Sequence, residues 1–292
     1  METRVKLRQL LESNEILVAP GAHDALTAKI IEQVGFKALY MSGYGQAASY
    51  LGQPDVGLMT MTEMISKVNN IVNCVRIPVI CDGDTGFGNL VNVVRTVREY
   101  EKAGAAAIQL EDQVFPKKCG HMSGKQVIPT EEMVDKIRAA VAARTDPDFI
   151  IIARTDARSV FGIEEAIERG KAYEKAGADV IFVESPESVE EMKMITSSFN
   201  VPVLANMVEG GRTPLLSAAE LQQIGYDLVI FPTASTYITA HAVQDLMNEL
   251  KRTGTTKNLL KKMIPFNEFN NLIGLPWVKE IESGNFSSLL NK

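Results

Sequence analysis

The stretch YEKAGAAAIQLE at residues 100–111, with its echo YEKAGADVIFVE at 173–184, decides the fold. In each copy a helical segment ends at Ala-Gly, an apolar run follows, and the run closes on a glutamate, Glu111 or Glu184. A glycine just past a helix takes up the left-handed conformation that closes it, so Gly104 and Gly177 read as helix stops leading into strands. Looser copies, QVGF at 33–36 and QIGY at 223–226, give Gly35 and Gly225 the same role. The repeats serve the turns, and they fix a register in which Ser42, Glu111 and Glu184 are equivalent strand-end residues.

Working outward, apolar runs near residues 16–19, 38–42, 78–82, 107–111, 149–154, 180–184, 202–206 and 228–231 make eight strand candidates. Helical spacing fills the gaps: Leu90, Val93, Val94 and Val97; Met133, Val134, Ile137 and Val141; Ile163, Ala166, Ile167 and Tyr173. Continuous rather than alternating apolar strands are buried on both faces, as parallel strands flanked by helices must be. Eight such units predict a closed (β/α)8 barrel of TIM type, and 292 residues suit it. Such barrels keep their active sites at the C-terminal mouth. Six of the runs deliver a polar group there: Ser42, Asp82 with Asp84, Glu111, Arg154, Glu184 and Asn206. After about residue 255 the rhythm stops. Leu259, Leu260, Met263 and Ile264 look helical, Pro265 and Pro276 interrupt, and Trp277 and Ile281 are apolar anchors. A catalytic barrel at 1–255 and a helical extension at 256–292 that packs on another subunit are expected.

Composition narrows the partners. Hydrophobic residues make up 46% of the chain, enough for a large core, and 30 Lys and Arg against 36 Asp and Glu leave a net charge of −6. That balance argues against nucleic acid as a partner. No apolar stretch approaches a membrane span, and Met1-Glu2-Thr3-Arg4 lacks the apolar region of a signal peptide. Cys74, Cys81 and Cys119 are too few for a disulfide framework and wrongly spaced for zinc, which fits a reducing, cytoplasmic compartment.

Three clusters carry chemistry. Asp82-Gly83-Asp84 sets two carboxylates at a strand end, and hard oxygen ligands suit Mg2+, which keeps several waters and needs only one or two direct carboxylates. A solvated Asp-Gly turn is the alternative, although Asp55 and Glu111 could complete the cluster. Cys119 lies in Lys117-Lys118-Cys119-Gly120-His121, where flanking cations would favour the thiolate, so it reads as a proton donor and acceptor or a nucleophile. A zinc pair with His121 is a weaker alternative. Arg154 can hold a carboxylate bidentately or pair with Glu111 or Glu184; Arg158, a turn later, belongs on a surface helix. Asn206 begins a further mouth loop that runs through Glu209, Gly210, Gly211 and Arg212.

Taken in order, Ser42-Gly43, Pro54-Asp55, Asp82-Gly83-Asp84-Thr85-Gly86, Leu110-Glu111-Asp112-Gln113, the Lys117–His121 loop, Ala153-Arg154-Thr155-Asp156-Ala157 and Asn206-Met207 resemble the isocitrate lyase and phosphoenolpyruvate mutase superfamily. The resemblance runs from about residue 15 to 245 and is strongest to the 2-methylisocitrate lyase branch, which has dimethylmalate lyase and a carboxyphosphonoenolpyruvate mutase as cousins. It implies a Mg2+-dependent barrel, with Mn2+ a possible substitute, assembled as a homotetramer that exchanges its last barrel helix. The substrate implied is a small 2-hydroxy dicarboxylate cleaved between C2 and C3 into an α-keto acid and a carboxylate. In that scheme Asp82 holds the metal with Asp55, Asp84 and Glu111, mostly through water. Cys119 protonates the leaving carbon, Lys117 and His121 tune its loop, Arg154 holds carboxylate with Glu184 nearby, and Ser42, Gly43, Tyr44, Gly120 and Asn206 bind substrate. The chain departs from the tricarboxylate pattern. Tyr237 and Phe266 stand where methylisocitrate lyases carry arginines, and Val183 replaces a proline. Losing two cations removes partners for a third carboxylate, so 2,3-dimethylmalate, cleaved to pyruvate and propanoate, is the expected substrate. Methylisocitrate cleavage, a phosphonomutase and a non-catalytic metabolite binder are the alternatives.

Overall fold

The computed structural model describes residues 2–287. Elements follow in the order α1 (Glu2–Leu11), β1 (Leu17–Ala22), α2 (Ala25–Val34), β2 (Leu39–Met41), α3 (Gly43–Gln46), α4 (Met61–Val72), β3 (Val79–Asp82), α5 (Leu90–Lys102), β4 (Ala107–Glu111), α6 (Thr130–Ala143) and β5 (Ile150–Thr155). Then come α7 (Arg158–Phe161), α8 (Ile163–Lys175), β6 (Val180–Val183), α9 (Val189–Thr196), β7 (Val203–Asn206), α10 (Ala218–Ile224), β8 (Leu228–Phe231), α11 (Ala234–Thr253), α12 (Phe266–Leu272) and α13 (Leu275–Glu282). The strands pair in parallel, each with the next, and β8 returns to β1. This closed ring is the (β/α)8 barrel expected from the eight apolar runs.

Helix starts and stops are written locally. Asp24, Thr60, Asn89, Ser188 and Ser217 each accept a backbone N–H at the head of a helix, satisfying donors the helix cannot pair itself. At the other ends Gly35, Gly104, Gly177 and Gly225 all take left-handed φ values of 101°, 90°, 103° and 107°. The four echoes of one motif therefore do the same backbone work.

The period-two alternation of the strands places the functional residues. Tyr40, Ile80, Ala107, Ile150, Ile152, Val180, Phe182, Leu204, Leu228 and Ile230 pack inside the barrel, where Leu7 and Leu11 of α1 join them. Their neighbours Leu39, Met41, Val79, Cys81, Ile151, Ile181 and Val229 face the helices. Side chains two residues apart share a face. Continuing each inward row by one step leads from Tyr40 to Ser42, Ile80 to Asp82, Ile152 to Arg154, Phe182 to Glu184 and Leu204 to Asn206. The same apolar side chains that fill the core, each stabilising by about 1.5–3 kcal/mol when buried, thus aim the polar ones at the mouth. At the opposite end Arg4 donates to the Ala105 carbonyl at 3.0 Å and pairs with Asp146 at 2.9 Å, fastening α1 across the bottom.

The described chain divides into two compact units between Thr236 and Tyr237, early in α11, upstream of the 255/256 boundary read from the sequence. The second unit contains the rest of α11, a 3-10 turn at Lys257–Lys262, α12 and α13, and no side chain of these elements is buried. No described helix is long and apolar enough to cross a membrane.

Candidate active site

At the mouth of the barrel one cavity is lined by Ser42, Tyr44, Asp55, Asp82, Lys117, Cys119, Gly120, His121, Arg154, Glu184 and Asn206. Gly43, Asp84 and Glu111 touch members of that set. The structure therefore brings together every site residue read from the sequence.

The acidic side is built on β2, β3 and β4. Asp82 accepts from the Gly43 N–H at 3.1 Å and from the Asp84 N–H at 3.0 Å. A Cβ on Gly43 would lie 2.7 Å from the Asp82 carboxylate, so only glycine allows this approach. Beneath it runs a buried chain that sequence reasoning missed: the Tyr40 hydroxyl donates to Gln109 Oε1 at 2.8 Å, and Gln109 Nε2 donates to Asp82 Oδ1 at 3.4 Å. Gln109 carries no charge and lies in an apolar run, so only the inward register could have marked it. The Lys117 ammonium, 2% exposed, stands 2.7 Å from both Asp55 and Asp84. Burial alone would lower its pKa, but Asp84 and Asp55 outweigh that and hold it well above the ordinary lysine value. Burial pushes Asp84 up to about 7 despite Lys117, and it holds Glu111 well above the carboxylate range.

The acidic side fits a hard metal ion. Among the described residues no three His, Cys, Asp or Glu side chains close on one point by themselves, and Lys117 stands between Asp55 and Asp84. Yet both carboxylate oxygens of Glu111 are buried without a hydrogen-bond partner, Arg154 Nη1 approaching only to 3.4 Å. An uncompensated buried carboxylate is costly. An all-oxygen set with room for water fits Mg2+, which binds through few direct carboxylates.

The opposite side carries the thiol and the cation. Arg154 makes a bidentate pair with Asp156, Nε to Oδ2 at 2.9 Å and Nη2 to Oδ1 at 3.0 Å, leaving Nη1 outside that pair, 3.4 Å from Glu111 Oε2. Asp156 is fully buried; burial raises its pKa, but Arg154 and Lys125 prevail and hold it well below the usual carboxylate range. Both carboxylate oxygens of Glu184 accept from the Asn206 amide nitrogen, at 3.2 Å each, and Oε1 lies 3.3 Å from His121 Nε2. The Arg212 backbone N–H donates to His121 Nδ1 at 3.0 Å. That bond makes Nδ1 the acceptor and leaves the ring proton on Nε2, toward Glu184. Arg158, by contrast, pairs with Glu191 at 2.7 Å and Glu187 at 2.6 Å, away from this group.

One reading is corrected. The lysines beside Cys119 in sequence do not face its thiol: Lys117 is drawn to the acids, and Lys118 Nζ donates to the Gly124 carbonyl at 3.1 Å. Burial, reinforced by Asp55 and Glu184, pushes Cys119 up to about 11. At neutral pH the group is a thiol, suited to giving a proton.

Strain concentrates here as well. Asp84, Phe87 and Ser185, at φ 47°, 59° and 58°, are the non-glycine residues with left-handed backbone among those described, and all follow β3 or β6. Such conformations cost about 1–3 kcal/mol each and gather at functional sites.

The model of the phosphoenolpyruvate phosphomutase family matches residues 7–251. The chain belongs to that family. It is 60% identical to the 2,3-dimethylmalate lyase of Eubacterium barkeri, over 97% of this chain and 98% of that one. A crystal structure of a 2,3-dimethylmalate lyase superposes with a TM-score of 0.92 at 39% identity, covering 98% and 96% of the two chains. A phosphonopyruvate hydrolase complex with oxalate and Mg2+ superposes at 0.88 with 34% identity, covering 97% and 99%.

Proposed function

We propose that this family member is a Mg2+-dependent carbon–carbon lyase that cleaves 2,3-dimethylmalate to pyruvate and propanoate. The observation that carries the reading is Cys119, whose thiol burial pushes up to about 11, bordering the same cavity as Asp55 and Asp82. The name of the 60% identical relative supports the substrate. So does the cavity wall: Phe182, Val208, Ile230 and Pro232 line it, offering apolar surface to two methyl groups.

The reaction requires passage of the C2 hydroxyl proton through water to solvent, breakage of C2–C3 with its electron pair passing to the C3 carboxylate half, and delivery of a proton to C3. Asp82 would hold Mg2+, with Asp55, Asp84 and Glu111 acting through water. When bound, the ion supplies charge that favours the ionised hydroxyl. Ser42, Gly43 and Tyr44 cradle the keto-acid half, while the Nη1 edge of Arg154 takes a carboxylate. Asp156 fixes that arginine in place, and Asn206 with Glu184 completes the wall opposite the acids. Cys119 gives its proton to C3, leaving a thiolate that is reprotonated from solvent. His121 and Lys117 orient the loop, the first against Glu184 and Arg212, the second against Asp55 and Asp84.

We further place the enzyme in the cytoplasm, in keeping with three unpaired cysteines, as a homotetramer exchanging its C-terminal helix. The unburied apolar side chains of α11, α12 and α13 support assembly; sedimentation at a trimer or monomer mass would refute the tetramer. The activity is tested by incubating protein and Mg2+ with 2,3-dimethylmalate or methylisocitrate and detecting pyruvate with lactate dehydrogenase. Turnover of dimethylmalate, at least tenfold above methylisocitrate in kcat/KM, is expected. Pyruvate from methylisocitrate alone overturns the substrate, and a new C–P bond from carboxyphosphonoenolpyruvate, seen by phosphorus NMR, overturns the reaction class.

A further inference from the structure

We propose that Lys125 and Ser185 are positioning residues that together grip the Gly120 carbonyl and so hold the Cys119 loop over the barrel mouth. The inference rests on the lyase reading for its consequence, but on geometry for its existence.

Lys125 comes from the segment that leaves the loop, and its side chain is 1% exposed. Its ammonium donates to the Gly120 carbonyl and to Asp156 Oδ1, the latter at 2.7 Å. A lysine this buried is costly unless paired, so its place demands that both partners stay where they are. From the other side, the Ser185 hydroxyl donates to the same carbonyl at 3.1 Å. Ser185 reaches it only in a left-handed conformation, φ 58°, which serine tolerates poorly. One backbone oxygen is thus held by a buried cation and by a strained residue.

Gly120 explains why its carbonyl is the point of grip. A Cβ on it would collide with Glu184 and with Arg154 Nη2, so the loop backbone lies against the mouth as closely as a chain can. Elsewhere the loop is fastened by the Cys119 N–H to the Asp55 carbonyl at 3.1 Å, by Gln113 to the Lys118 backbone at 2.8 and 2.9 Å, by Lys117 to Asp55 and Asp84, and by the Arg212 N–H to His121 at 3.0 Å. Asp156 adds a link. Its Oδ1 accepts from Lys125 and from Arg154 Nη2, so one carboxylate ties the seating of the thiol loop to the orientation of the arginine. Release of Lys125 loosens both.

The test uses the full-length protein with Lys125→Met, Lys125→Arg and Ser185→Gly. Hydrogen–deuterium exchange of peptides spanning 117–122 reads loop seating, and steady-state kinetics with dimethylmalate read its consequence. Lys125→Met should raise loop exchange at least tenfold and lower kcat at least tenfold, with KM changed less than threefold; Lys125→Arg should recover part of both. Ser185→Gly separates positioning from mere stability. Glycine relieves the left-handed strain, so the melting temperature should hold or rise while loop exchange still quickens at least fivefold and kcat falls. Wild-type exchange across 117–122 in Ser185→Gly refutes the proposal, even where Lys125→Met fails to fold. Loosened exchange in both variants alongside a wild type that turns over neither dimethylmalate nor methylisocitrate would uphold the grip and sink the lyase reading.

Discussion

If burial pushes the Cys119 thiol up to about 11, it is a neutral acid at working pH, and alkylation measures that directly. An ordinary thiol at 9.0 is about 10% thiolate at pH 8, whereas one pushed up to about 11 is about 0.1% thiolate, a ratio of roughly 100. A more basic thiolate is intrinsically more nucleophilic, by about a factor of 10 over two units. The net expectation at pH 8 is therefore alkylation roughly tenfold slower than a model thiol. The sharper signature is the pH profile. The rate should climb tenfold per pH unit through pH 10 without levelling, and kcat should show no alkaline limb from thiol ionisation below that pH. Iodoacetamide labelling, mapped to the peptide containing Cys119 by mass spectrometry so that Cys74 and Cys81 do not contribute, gives the curve. A plateau near pH 9 would show that burial leaves the thiol at its ordinary value, and a plateau at or below pH 7 would show a thiolate at neutral pH, with which the proton-donor assignment would fail. Cys119→Ser provides the activity arm: turnover should fall about 10²–10⁴-fold, the range for loss of a general acid, while pyruvate still binds.

Other perturbations probe the supports. Asp156 has a folded pKa below its unfolded one, so its stabilisation is full above about pH 4 and lost as pH falls further. Asp156→Asn, which strands two buried cations, should cost about 3–5 kcal/mol in urea unfolding at pH 7, with the deficit shrinking toward pH 3. Gln109→Leu removes the donor beneath Asp82 and should weaken Mg2+ binding about 10–100-fold by calorimetry; leaving the Tyr40 hydroxyl unpaired should cost a further ~1–3 kcal/mol of stability. Unchanged metal affinity would show that Gln109 only fills space. Gly120→Ala should abolish turnover with an unaltered circular dichroism spectrum, because the methyl group collides with Glu184 and Arg154 only when the loop is seated.

The barrel was legible because its signals are local. Each helix stop is a glycine with a backbone requirement, and each strand is an apolar run long enough to be buried on both faces. Its mouth was legible for a related reason: the inward row of a strand continues to its end, so Ile152 predicts where Arg154 points and Phe182 where Glu184 does. What lay beyond reach were contacts made across the chain. Nothing near Lys125 in sequence announces Asp156, 31 residues away, or the carbonyl of Gly120. Gln109 reads as one more residue of a strand until Tyr40, 69 residues distant, is set against it.

The reversal at Cys119 has the same origin. Sequence proximity places two lysines beside the thiol, but electrostatics follows side-chain direction, and both ammonium groups are spent elsewhere: one on Asp55 and Asp84, one on a loop carbonyl. The mouth is thereby divided. Carboxylates of β3 and β4, with Lys117 inserted among them, form one wall, fit for a cation and the oxygens it would hold. Arg154 and the neutral thiol form the other. A bond broken between two halves of a substrate needs this asymmetry, with charge stabilised at the oxygen end and a proton waiting at the carbon end. A thiolate at Cys119 would remove the second condition while leaving the first intact. A protonated sulfur at Cys119 is therefore one of the two conditions the lyase reading needs.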